Sequence, residues 1–266
     1  MPHFARKASS LCLGASLLAM SALVCRSARA DSPVFGSPLE DLKLYVTAPL
    51  RWDEEDWLYF GGALLAIGAS HEFDGRVRAH FATGSNALNG GEDKNSVRDA
   101  LPTVALIGGT GLGALFYRDT DGYRETWALV EAGILSTATG EVLTYATGRE
   151  RPDATSSPNQ WGKGGDSFPS VHADAAFAVG TVFAETGGDD YRWLRRIIGY
   201  GIAAGTAYIR VRDNDHWLSD TVAGSALGIA TARFVLNRQA AQDHATTLQF
   251  APMKGGWMIS YAVRTH

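Results

Sequence analysis

Six long apolar runs, divided by polar breaks, organise this chain. They cover about Trp57 to Ser70, Leu101 to Tyr117, Arg124 to Ala146, Val171 to Thr186, Tyr191 to Tyr208 and Leu218 to Asn237. Each is too long for an ordinary strand and rich in Ala, Leu and Gly, so each is predicted to be a helix. Gly187-Gly188 stops the fourth run. Pro152 lies just past the end of the third, where helix geometry is disfavoured. Residues 31–54 contain an early Pro-Gly-Ser stretch and are expected to form an irregular lead-in. Gly84 to Asp99 carries Gly, Asn, Ser and charges and reads as a loop. Near the end the period changes from helical to alternating. Thr247 to Phe250 and Trp257 to Val263 flank Pro252 and Gly255-Gly256, which predicts a β-hairpin. Trp257, Ile259, Tyr261 and Val263 share one face, expected to pack on the helices. The expected fold is all-α, a helical bundle over residues 55–240 followed by a C-terminal hairpin extension over residues 241–266.

Several runs approach the length that spans a bilayer. Glu131 and Glu141 interrupt the third run, Asp174 and Glu185 the fourth. Mean hydropathy is slightly negative, at -0.08. A six-span membrane protein would be far more apolar. The composition therefore favours a soluble bundle, and peripheral contact with a membrane stays compatible with it.

Residues 1–30 have the three parts of a cleaved secretory signal. Arg6 and Lys7 form a basic start, Leu11 to Val24 an apolar stretch, and Ala28-Arg29-Ala30 the cleavage site. Both cysteines, Cys12 and Cys25, lie in that segment. The mature chain is thus expected to have no disulfide, thiolate nucleophile or Cys-ligated zinc. Export without disulfides points to a bacterial periplasm. The signal holds four basic and no acidic residues, so its removal takes the formal charge from -4 to -8. An acidic chain argues against nucleic acid as a partner.

Three islands carry candidate chemistry. In the first, Gly148-Arg149-Glu150-Arg151-Pro152, Arg151 ends a helical run before a turn. In the second, Ser167-Phe168-Pro169-Ser170-Val171-His172, Ser170 is expected at a helix N-terminus. Unpaired N–H groups and the positive dipole end suit a phosphate there. His172, in the first turn, is placed to protonate a leaving oxygen. The third runs from Arg210 to Asp220 and sets His216 and Asp220 four apart. On a helix they stack on one face. A carboxylate on one ring nitrogen would aim the other outward as nucleophile or base. Arg210, six residues earlier, is suited to clamp phosphate oxygens. A metal could use the same pair, but no further His or Cys cluster accompanies it.

The three islands resemble the three-part signature of the type 2 phosphatidic acid phosphatase family, which shares its fold and site with bacterial acid phosphatases and vanadium-dependent haloperoxidases. Arg151-Pro152, Pro169-Ser170, His172, Arg210, His216 and Asp220 match it, over residues 144–220. The resemblance implies that His216 attacks phosphorus, Asp220 orients it and His172 protonates the leaving group. It implies phosphate binding by Arg151, Arg210, Ser170 and the Val171 amide. It implies no cofactor, vanadate as an inhibitor, and a phosphorylated small molecule or lipid as substrate.

Three positions depart from the pattern. The family's Lys falls on Thr144, its Gly on Val171 and its Ser on Ile209. Thr144 can donate a hydrogen bond but no charge, and loss of a charged contact costs roughly 1.5–3 kcal/mol. Arg149 and Lys163 are candidate substitutes. Two other readings use the same residues. One is a haloperoxidase with a vanadate cofactor, which the absent Lys disfavours. The other is a catalytically weakened protein that binds lipid phosphates or another anion.

Overall fold

The structure, a computed structural model, describes residues 38–82, 96–243, 247–253 and 256–262. The expected signal segment, most of the expected loop at 84–99 and Val263 of the hairpin face lie outside these residues. Eight helices are described: α1 Pro38–Val46, α2 Glu54–His71, α3 Asp74–Phe81, α4 Ser96–Tyr117, α5 Thr120–Thr147, α6 Val171–Glu185, α7 Arg192–Arg212 and α8 Leu218–Asp243. Strands β1 (Thr247–Met253) and β2 (Gly256–Ala262) pair antiparallel.

All six predicted helices are present, with ends shifted by a few residues. Two others were not expected. The lead-in is not irregular throughout, because α1 and a 3-10 turn, Ala48–Arg51, lie within it. Leu39, Leu42 and Tyr45 recur at helical spacing there, and Glu40 and Asp41 favour the helix start. The expected loop at 84–99 also gives way early, since α4 begins at Ser96.

Helix α6 is central and packs against α5, α7 and α8. Glycines set its spacing. A Cβ at Gly224 or Gly228 of α8 would collide with the carbonyl oxygen of Ser170 or Asp174 on α6. A Cβ at Gly199 of α7 would meet that of Gly180. The core is built largely from small side chains, among them Ala128, Ala132, Ala175, Ala178 and Ala232, with Val179 and Val182.

Many large apolar side chains lie outside. Trp57, Leu58 and Leu65 of α2, Phe116 of α4, and Trp193 and Ile197 of α7 are all exposed. Average hydropathy hid this arrangement, because it does not distinguish buried alanine from exposed tryptophan. Among the described residues, one helix, at Val97–Tyr117, is long and apolar enough to cross a membrane.

Asp174 is buried in this core. Ser136 Oγ donates to its Oδ1, while Oδ2 faces Gly140 and has no hydrogen-bond partner. Burial pushes its carboxyl up to about 8 from 3.8. Between those pH values the folded chain holds a proton that the unfolded chain has lost, so stability falls as pH rises through the window. Asp174→Asn is expected to flatten part of that decline. Thermal melts at pH 5 and pH 8 check this; an unchanged difference in Tm between the two rejects it.

Candidate active site

Helix α5 ends at Thr147, and Gly148 caps it in the left-handed conformation at φ 53°. The turn therefore begins before Arg151 rather than at Pro152. It sends residues 149–170 across the ends of α5, α6 and α8. Backbone bonds brace this excursion: Gly162 N–H donates to Thr147 O, and Ser167 N–H to Arg149 O. Ser170 then becomes the N-cap of α6. Its N–H donates to Asp220 O, which ties the start of α6 to the start of α8.

Ser170 does not use its side chain as a cap. Its Oγ is buried and makes no hydrogen bond. His172 follows in the first turn of α6 and is nearly buried. Val171 opens the helix, where N–H groups lack intrahelical acceptors. Its side chain packs toward Gly140 of α5.

His216 lies in the turn before α8, not on the helix with Asp220. The expected direct bond between them is replaced by a relay. His216 Nδ1 donates to the carbonyl of Ser167 at 2.8 Å, and Asp220 Oδ2 is 3.8 Å away. A carbonyl only accepts, so Nδ1 carries the proton and Nε2 keeps a lone pair. Asp220 is engaged elsewhere. Its Oδ2 accepts from Ser167 Oγ and from Trp217 N at 2.9 Å, the latter a reach back from the third helical position to the N-cap.

Burial, and then the charges of Arg151, Arg210 and His172, hold the His216 pKa well below 6.5. All three lie within electrostatic reach of the imidazole. The ring is therefore neutral across ordinary pH. Burial pushes the Asp220 carboxyl up to about 7, against the opposing pull of Arg149, Ser167 and Trp217 N.

The two arginines are anchored from behind. Arg151 forks onto Asp166 at 2.8 and 3.4 Å. Arg210, in the last turn of α7, pairs through Nη1 with Asp99 and Asp215, each at 3.0 Å. Thr144, at the position of the family Lys, and the two candidate substitutes have the following surroundings. Thr144 Oγ1 donates to Pro169 O at 3.4 Å and so braces the second island. Lys163 is exposed on the 149–170 excursion. Arg149 is fully buried. It binds Asp220 Oδ1 at 2.5 Å and Asp74 Oδ2 at 2.7 Å, which leaves it no part as an anion contact.

Residues 125–243 match the model of the PAP2 superfamily. This segment is similar to that superfamily. A curated relative, the lipid A 1-phosphatase of Porphyromonas gingivalis, is 30% identical over 164 residues, covering 59% of this chain and 32% of the relative. The chain thus spans about a third of that relative's length. No solved structure gives a significant match.

The PAP2 segment contains His172, His216, Asp220 and both anchored arginines, but not all that supports them. Asp74 and Asp99 lie before it and were not foreseen, nor was a role for Ser167. Only Ser167 had a local signal, as a polar residue just ahead of Phe-Pro-Ser. Asp74 is joined to Arg149 and Ser219 across 75 and 145 positions, which no local pattern reveals.

Proposed function

We propose that this protein is a metal-independent phosphatase acting on lipid phosphates, and more broadly on phosphomonoesters, through a phosphohistidine on His216. The observation that carries the reading is a buried His216 held through Nδ1 by the Ser167 carbonyl, within electrostatic reach of Arg151, Arg210 and His172, together with the unbonded Ser170 hydroxyl at the start of α6. A tetrahedral oxyanion would receive a hydroxyl, helix N–H groups and two guanidinium charges there.

His216 Nε2 attacks phosphorus as the bond to the ester oxygen breaks. His172, protonated, gives its proton to that oxygen, and the alcohol leaves. Neutral His172 then takes a proton from water, whose oxygen attacks the phosphohistidine. Phosphate departs and His216 Nε2 regains its lone pair. Arg151 and Arg210 hold the charge that builds on the equatorial oxygens.

The relative's name supports a phosphorylated lipid as substrate. So do the exposed tryptophans and leucines of α2, α4 and α7, which suit peripheral contact with a bilayer. The expected signal segment would put that contact at the periplasmic side of a membrane. Vanadate would meet the same groups as phosphate, and Thr144 leaves it without the lysine that the haloperoxidases use.

The test is phosphate release by the purified protein in EDTA, with and without vanadate. The substrates are a chromogenic phosphomonoester and a lipid phosphate in mixed micelles. Release from both is expected to survive EDTA and to stop with vanadate, with the lipid turned over faster. Loss of release in EDTA removes metal independence. Turnover of the soluble ester alone removes the lipid preference.

A further inference from the structure

Resting on the phosphatase reading, we propose that Arg149 and Asp74 form a positioning unit that fixes Asp220 and, through Ser167, holds His216 in its attacking orientation. The unit lies behind the reacting groups and touches no substrate.

Every donor on Arg149 has an acceptor. Nη1 reaches Asp220 Oδ1 at 2.5 Å and Ser219 Oγ at 2.8 Å. Nη2 reaches Asp74 Oδ2 at 2.7 Å and Pro158 O at 2.8 Å, and Nε reaches Pro158 O at 3.1 Å. Trp161 and Trp217 lie against the guanidinium, with ring centres at 4.5 and 5.3 Å. Asp74 is itself held by Ser219, whose N–H donates to Oδ1 at 2.9 Å and whose Oγ lies 2.6 Å from Oδ2.

The consequence passes through four links. Arg149 fixes one oxygen of Asp220. The other oxygen is thereby presented to Ser167 Oγ. That bond orients Ser167, whose carbonyl receives His216 Nδ1–H. The ring is left with Nε2 free of that bond and available to attack. One guanidinium shared by two buried carboxylates costs desolvation that an apolar filler would avoid. The charge, not the volume, is what the arrangement retains.

The electrostatics follow the same geometry. Asp220 faces Arg149 and, behind it, Asp74 from α3, while His216 Nδ1 is 3.8 Å from its Oδ2 and feels the charges of Arg151 and Arg210. His71 of α2 is 3.0 Å from Asp74 and 3.1 Å from Arg149. Arg149 favours the ionised form of Asp220, and Asp74 opposes it. Removing one or the other must therefore move Asp220 in opposite directions, which a purely structural role would not do.

The experiment compares wild-type, Asp74→Asn and Arg149→Met proteins by two measurements. One is the pH profile of kcat and KM for a chromogenic phosphomonoester. The other is the NMR titration of the Asp220 carboxyl carbon in protein labelled at aspartate Cγ, assigned with Asp220→Asn. Arg149→Met is expected to move the Asp220 midpoint and the acidic limb of kcat to higher pH, by on the order of one pH unit. Asp74→Asn, which keeps the shape, is expected to move both to lower pH with KM within about twofold, since a positioning residue leaves uniform binding intact. Lowered Tm with the Asp220 midpoint of Asp74→Asn unmoved, or moved upward, overturns the proposal. Should Arg149→Met not fold, Asp74→Asn decides alone. Should the wild type release no phosphate, the phosphatase reading fails, while the carbon titrations still decide whether the unit sets Asp220.

Discussion

His216→Ala is expected to lower phosphate release by about 10³-fold or more, because loss of a nucleophile leaves only binding and electrostatic assistance. The fold should survive. The imidazole gives one hydrogen bond to a backbone carbonyl, and losing it leaves an acceptor unsatisfied at a cost of about 1–3 kcal/mol. Near-UV dichroism and a thermal melt establish that the variant is folded. Rapid acid or base quench of the wild type should yield an acid-labile, base-stable phosphoryl-enzyme that the variant lacks. Release by a clean, folded variant above about one part in a hundred of wild type would rule out His216 as the attacking group.

Arg210→Ala is expected to have the next largest effect, on two quantities at once. The guanidinium is fully buried and paired with Asp99 and Asp215. Removing one member of a buried pair costs about 3–5 kcal/mol, because the remaining charge stays behind. Arg98 holds the other oxygen of Asp99 at 3.2 Å, which puts the loss toward the lower end. Catalysis should fall by roughly 10²–10³-fold, the usual effect of deleting one preorganised donor to developing negative charge. Arg210 also depresses the His216 pKa, so the acidic limb of activity should move to higher pH. Arg210→Lys should restore more stability than activity, since an ammonium keeps the charge but not the planar fork. Denaturant melts and kcat/KM at several pH values separate these effects. Full activity in Arg210→Ala would remove it from the site.

The long helices were legible because each carries many apolar residues over several turns. Helix α3 was not: DGRVRAHF has only eight residues, and Val77, Ala79 and Phe81 recur at a spacing of two. Helix α1 had a helical spacing of its own, obscured by the Pro-Gly-Ser stretch before it. At the site, the positions of Ser170 and His172 followed from local rules for a helix start. The partners of the charged groups did not. Four-residue spacing suggested that Asp220 would hold His216, yet the turn before α8 keeps His216 off the helix and a backbone carbonyl takes the bond. Likewise Arg149 looked like a spare cation for phosphate, and only the packing of α3 against α8 shows two carboxylates waiting for it.

The relay from Asp74 through Arg149, Asp220 and Ser167 to His216 also has a consequence in time. Its members are distributed from position 74 to position 220, and its closing bonds join residues 49 to 75 apart. Contacts of such separation form late, after loop-closure entropy has been overcome. On the proposed mechanism the first turn of α8 must therefore have left the ribosome before the site can assemble, and a chain that stops short of residue 220 is expected to release no phosphate.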